Sequence, residues 1–138
     1  MITSRTVYIG NLRTEMTHLQ SESVVITDAP IDNQGKGEKF SPTDLVATSL
    51  SSCMLTIMGI AANTHHFNID GTIAEVTKVM ASNPRRISEI HINLSFPHNN
   101  YSEREKKHIK HAAFTCPVSQ SLHPNLKQVI TFNYPENE

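Results

Sequence analysis

The chain has 138 residues, enough for one domain with a real core and too few for two. Its 12 Lys and Arg against 13 Asp and Glu leave a net charge of -1, which offers no general attraction to nucleic acid or to an anionic membrane. The N-terminal MITSRTVYIG lacks a basic segment, an apolar core and a small-residue cleavage site, so the cytoplasm is the expected location, and the two cysteines are expected as free thiols or a working redox pair.

Residues 6–9 and 12–19 alternate around Gly10-Asn11, a hairpin signal, and a third short strand is expected at 24–27. Together they read as an antiparallel meander. In its second strand Leu12 and Met16 are expected to face the core, leaving Arg13 and Glu15 on the opposite side. Residues 28–39, DAPIDNQGKGEK, are rich in Gly, Pro and charge and carry the chain over the surface as the most mobile loop.

Residues 41–63, SPTDLVATSLSSCMLTIMGIAAN, open with Ser41 at an N-cap, Pro42 at the first helical position and Asp44 closing a capping box. Between Leu45 and Ala62 there is no charged residue. The run is long enough to raise a membrane span, but Thr48, Ser49, Ser51, Ser52, Thr56 and Gly59 make it polar for one, and neither end carries basic or aromatic anchors. A helix this apolar around its circumference belongs in an interior, covered by sheet and by a second copy of itself.

Further strands are expected at 67–80 and 87–96, the latter with Ile90, Ile92, Leu94 and Phe96 on one face. Ser102 and Glu105 form another capping box that opens a polar helix to about residue 115, Pro117 starts a short helix to about 122, and a final strand carries Ile130, Phe132 and Tyr134. The order βββ-α-ββ-αα-β makes an α+β protein, read as a single domain over 1–138 with one sheet of about six strands.

Cys53 lies about three turns into its helix, beyond the reach of the helix dipole, and burial alone would leave it an inert thiol. To act as a nucleophile it needs a cation from elsewhere, for which Arg13 is the candidate. Cys116 stands at the N-cap of the short helix, where backbone N–H groups favour a thiolate. The plain alternative is that both cysteines simply pack.

The segment Gly35-Lys36-Gly37-Glu38-Lys39-Phe40-Ser41-Pro42-Thr43-Asp44-Leu45, the Ser51-Ser52-Cys53-Met54 run and Thr115-Cys116-Pro117-Val118-Ser119 resemble the OsmC/Ohr family of osmotically inducible and organic-hydroperoxide-resistance proteins. The likeness extends to Gly10-Asn11-Leu12-Arg13 and to residues 25–30. It implies an intertwined homodimer in which two central helices are wrapped by antiparallel sheets. It also implies a role in oxidative-stress defence: Cys53 as the peroxidatic thiolate, Cys116 as the resolving thiol, Arg13 as the arginine that holds thiolate and peroxide. The substrate would be an organic hydroperoxide or hydrogen peroxide and the reductant a dithiol, with no cofactor. In one respect the chain departs from the family: where the hydroperoxide enzymes carry a glutamate ten residues before the first cysteine, it has Thr43. Glu15, Glu38 and Asp44 are the carboxylates considered as substitutes for orienting Arg13.

His65-His66 and His108 with His111 suggest metal ligands, yet no CxxC or HExxH accompanies them, and no metal is expected. Gly35-x-Gly37 lacks the Gly-Lys-Ser/Thr ending of a phosphate loop. The competing function is a non-catalytic binding protein that holds a small apolar or lipid-like molecule beside cysteines that only pack.

Overall fold

The computed structural model describes residues 1–136. It falls into two compact units, Met1–Val46 and a second that begins at Ala47. In the first unit β1 (Ser4–Gly10), β2 (Arg13–His18) and β3 (Val24–Asp28) form an antiparallel sheet in the order β1-β2-β3, the meander expected from the alternation. The turn between β1 and β2 takes three consecutive left-handed residues, Gly10 at φ 90, Asn11 at φ 55 and Leu12 at φ 61. Leu12 therefore belongs to the turn and is 45% exposed, so it does not face the core with Met16 as its spacing suggested. Arg13 becomes the first residue of β2, directly across from Asp28, the last of β3.

Beyond β3 the loop folds back on itself through a single 3-10 turn at Ile31–Asn33. Gly35 rests against the Ala29 carbonyl so closely that a Cβ there would lie 1.7 Å from its oxygen, so only glycine fits. The loop that composition marked as mobile is thus laid down on the end of β3, with Gly37 N–H donating to Ala29 O at 3.2 Å and Asp28 N–H to Phe40 O at 3.1 Å.

Helix α1 (Pro42–His65) begins as its capping box requires: Asp44 N–H donates to Ser41 Oγ at 3.1 Å, and Ser41 N–H to Asp44 Oδ2 at 3.0 Å. In length and composition it is apolar enough to cross a membrane, a test that the core helix of a soluble protein also passes, and 33% of its most apolar window is buried. His66, at φ 61, ends it.

The second unit contains β4 (Ile73–Ala81), β5 (Arg86–Ser95), α2 (Glu103–Thr115), α3 (Pro117–Ser121) and β6 (Lys127–Asn133), with a sheet in the order β4-β5-β6. Three features differ from the sequence reading. The strand expected from 67 starts only at Ile73, because 67–72 are spent on a turn in which Gly71 takes φ 89 and Thr72 Oγ1 donates to Ile69 O at 2.6 Å. The six strands divide into two sheets of three. One pair also breaks the antiparallel pattern: β6 runs parallel to β5, which the long excursion through α2 and α3 permits.

The core of this unit is built from Leu50, Met54, Met58 and Ala62 of α1, Ile90, Ile92 and Leu94 of β5, and Ile109, Ala112 and Ala113 of α2. The inward face expected of β5 is the one found buried. Capping of α2 by Ser102 and Glu105 is reciprocal, with bonds of 2.8 and 3.1 Å.

Candidate active site

Of the residues singled out by sequence, Arg13, Glu15, Glu38 and Asp44 lie in the first unit, Cys53 and Cys116 in the second. Arg13 projects from the start of β2 and its Nη2 donates to Glu38 Oε2 at 2.8 Å and to Asp28 Oδ2 at 3.3 Å. Asp28 Oδ2 also accepts the backbone N–H of Glu38 at 3.0 Å. These bonds, the Glu38 N–H first and the guanidinium after it, hold the Asp28 carboxyl below its ordinary range against the opposing effect of burial. Arg13 in turn is raised by its bonds to Glu38 and then Asp28.

Asp44 is spent on the α1 cap, and Glu15 stands across from Val7 and Ile26 in the sheet, outside the arginine cluster. Thr43 Oγ1 lies 3.2 Å from Ser41 Oγ. Asp28 went unrecognised at the level of sequence. The signal was present, since counting through the one turn between β2 and β3 puts the end of β3 opposite Arg13. An open groove of about 460 Å³ beside Glu38 is lined by Ile26, Gly37, Glu38, Lys39, Phe40 and Asp44.

In the second unit Cys53 is partly buried against the core on α1, and Cys116, fully buried, serves both as C-cap of α2 and N-cap of α3. Both are free thiols. The helix break at Pro117 turns the backbone so that Ser119 N–H donates to Cys116 Sγ at 3.4 Å. Cys53 lies near enough to act on the Cys116 thiol. Burial pushes the Cys116 thiol up, the Ser119 N–H opposes this, and the Cys53 side chain pushes it up further. The N-cap position therefore does not make Cys116 a thiolate, because desolvation outweighs the backbone donors. Its place is fixed through Ser119, whose Oγ donates to Gln128 Oε1 at 2.6 Å while Gln128 Nε2 donates to Ser119 O at 3.1 Å, tying α3 to β6. Neither Ser119 nor Gln128 was marked as a site residue by sequence.

His65 and His108 stack face to face with centroids 3.6 Å apart, joining the end of α1 to α2, and His108 Nε2 is buried without a hydrogen-bond partner. Burial, then His65, Arg104 and His111, lower the pKa of His108.

The second unit thus holds two free cysteines, and the first holds an arginine met by two carboxylates at a strand end. A model of the OsmC-like protein family matches residues 35–130, and the chain belongs to that family. It is 54% identical to a candidate osmotic stress induced and detoxification response protein from Psychrobacter arcticus 273-4, with 96% of each chain covered and a TM-score of 0.92. An OsmC-like protein from Mycoplasma pneumoniae shares the fold at 19% identity, 96% coverage of each chain and a TM-score of 0.79. So does an organic hydroperoxide resistance protein from Elizabethkingia anophelis, with crystallant-derived thiocyanate bound, at 17% identity, 98% coverage of each chain and a TM-score of 0.70. None of the functionally curated proteins matches.

Proposed function

We propose that the protein is a thiol-dependent hydroperoxide reductase in which Cys53 is the peroxidatic residue, Cys116 the resolving residue and Arg13 the cation that supports the Cys53 thiolate. The observation that carries this reading is that two free cysteines, Cys53 partly buried and Cys116 fully buried, lie near enough for the Cys53 side chain to act on the Cys116 thiol. In the first step the Cys53 thiolate attacks an oxygen of the hydroperoxide, the O–O bond breaks, Cys53 becomes a sulfenic acid, and the departing alkoxide takes up a proton to leave as the alcohol. In the second, Cys116 sulfur displaces the sulfenic hydroxyl, its own proton leaves with that hydroxyl as water, and a Cys53–Cys116 disulfide forms. A dithiol then reduces the disulfide. Because burial keeps Cys116 protonated, it is spared direct oxidation and remains available for the second step.

The proposed setting is the reducing cytoplasm, and the proposed assembly a homodimer. In its favour, Val7, Tyr8, Ile9, Val24 and Val25 in the first sheet and Ile60 on α1 are exposed in the single chain. The test is anaerobic mixing of reduced protein with an alkyl hydroperoxide or with hydrogen peroxide while thiol loss is followed. Wild type should lose two thiols per turnover of peroxide. Cys116→Ser should stop at a sulfenic acid that dimedone traps, and Cys53→Ser should not react. A wild type no faster than Cys53→Ser would sink the proposal.

A further inference from the structure

Arg13 is met by two carboxylates, Asp28 and Glu38. We propose that Asp28 is the positioning residue that orients Arg13, acting on it directly and on Glu38 through the backbone. The inference rests on the reductase reading above.

One oxygen of Asp28 does two things. Its Oδ2 accepts Arg13 Nη2 at 3.3 Å and the Glu38 N–H at 3.0 Å, so it fixes both the guanidinium and the loop residue whose carboxylate meets the same Nη2 at 2.8 Å. Glu38 cannot play this part alone, because its side chain is 57% exposed and competes with water for the arginine. Asp28 is 1% exposed. A buried carboxylate keeps its charge at the expense of desolvation, and here Oδ1 is buried without any partner, which makes that expense larger. An acceptor needed only for the Glu38 N–H would be served by a neutral side chain. Among the described residues the cation that meets this retained charge is Arg13, and the register of the meander, which pairs position 13 with 28, delivers it there.

The Gly35 packing explains why the second function works: with the loop seated on Ala29, the Glu38 N–H is presented to Asp28, and the Glu38 side chain falls to the arginine. Asp28 thus stands as the inner, permanent anchor of Arg13 and Glu38 as the outer one that a substrate is able to displace.

The experiment compares Cys53 alkylation by iodoacetamide across pH, and Cys53 oxidation by cumene hydroperoxide, in wild type, Asp28→Asn and Glu38→Gln. The same Asp28→Asn change is made in an Arg13→Ala background. Asp28→Asn should slow oxidation about tenfold or more and move the alkylation midpoint to higher pH, with Glu38→Gln affected less. In the Arg13→Ala background the same substitution should change the rate less than about twofold, since a residue that acts through Arg13 has nothing left to act on. A full-sized loss in that background would make Asp28 merely structural and overturn the proposal. Circular dichroism checks the fold, and Asp28→Ser, still able to accept the Glu38 N–H, is expected to behave as Asp28→Asn and replaces it if the asparagine variant does not fold. If wild type oxidises while Asp28→Asn keeps pace with it, only the role of Asp28 falls. If wild type fails to outpace Cys53→Ser, the reductase reading falls and the role of Asp28 with it.

Discussion

Arg13 earns its position from its neighbours in register rather than in sequence. Held from two sides by Asp28 and Glu38, it is the one guanidinium in a site of this kind that a neutral side chain should not replace. Arg13→Gln is expected to lower the rate of peroxide-driven thiol loss about 100-fold and, because it strips the buried Asp28 carboxylate of its cation, to lower the melting temperature as well, measured by stopped-flow and by calorimetry. His108 gives a second prediction. Its pKa is lowered from an ordinary 6.5 in the folded chain, so on acidification the unfolded chain takes up its proton first, and stability falls as pH drops below about 6.5. His108→Phe, which keeps a ring for His65 to stack on, should flatten that part of a plot of melting temperature against pH; an unchanged slope would count against the assignment. At this scale the cysteines and Arg13 stood out in the chain because motifs carry them. Asp28 did not, since a carboxylate at the end of a strand looks like turn chemistry until the strand across from it is known.

Among the elements, those written by local signals came through plainly. The Ser41 and Ser102 caps, the Pro117 helix start and the alternation of β5 are each decided within a few residues of chain. The late start of β4 and the direction of β6 were not legible, because a turn hidden in an apolar stretch and a pairing across a long connection depend on tertiary contacts. The hold of β6 on α3 is itself testable. Gln128→Leu removes two hydrogen bonds to Ser119 and should cost about 2 kcal/mol in denaturant unfolding. It should also slow disulfide formation while leaving the initial reaction of Cys53 with peroxide near the wild-type rate. Equal slowing of both steps would mean that α3 serves more than Cys116. Leu50→Ala, at a fully buried position facing the second unit's core, should cost about 3 kcal/mol without changing which thiol reacts first.

For the molecule as a whole, α+β architecture and the element order could be read from the chain, whereas the split into two sheets could not, since periodicity says which face is apolar and not which strands share hydrogen bonds. Exposed aliphatic residues on the first sheet and on α1 lead to a prediction about assembly. Wild type should sediment as a dimer, and Ile60→Glu, placed on the exposed side of α1, should shift it toward monomer; a wild type that is monomeric at micromolar concentration would remove the basis for a shared helix interface.

The parallel seating of β6 beside β5 has a temporal meaning. During synthesis both cysteines leave the ribosome before the strand that carries Gln128, so a nascent chain possesses its sulfurs before it possesses the brace that holds α3. On the proposed reading, peroxide chemistry would then be assembled only with the last strand, and a growing polypeptide meets oxidants with α3 still unfastened.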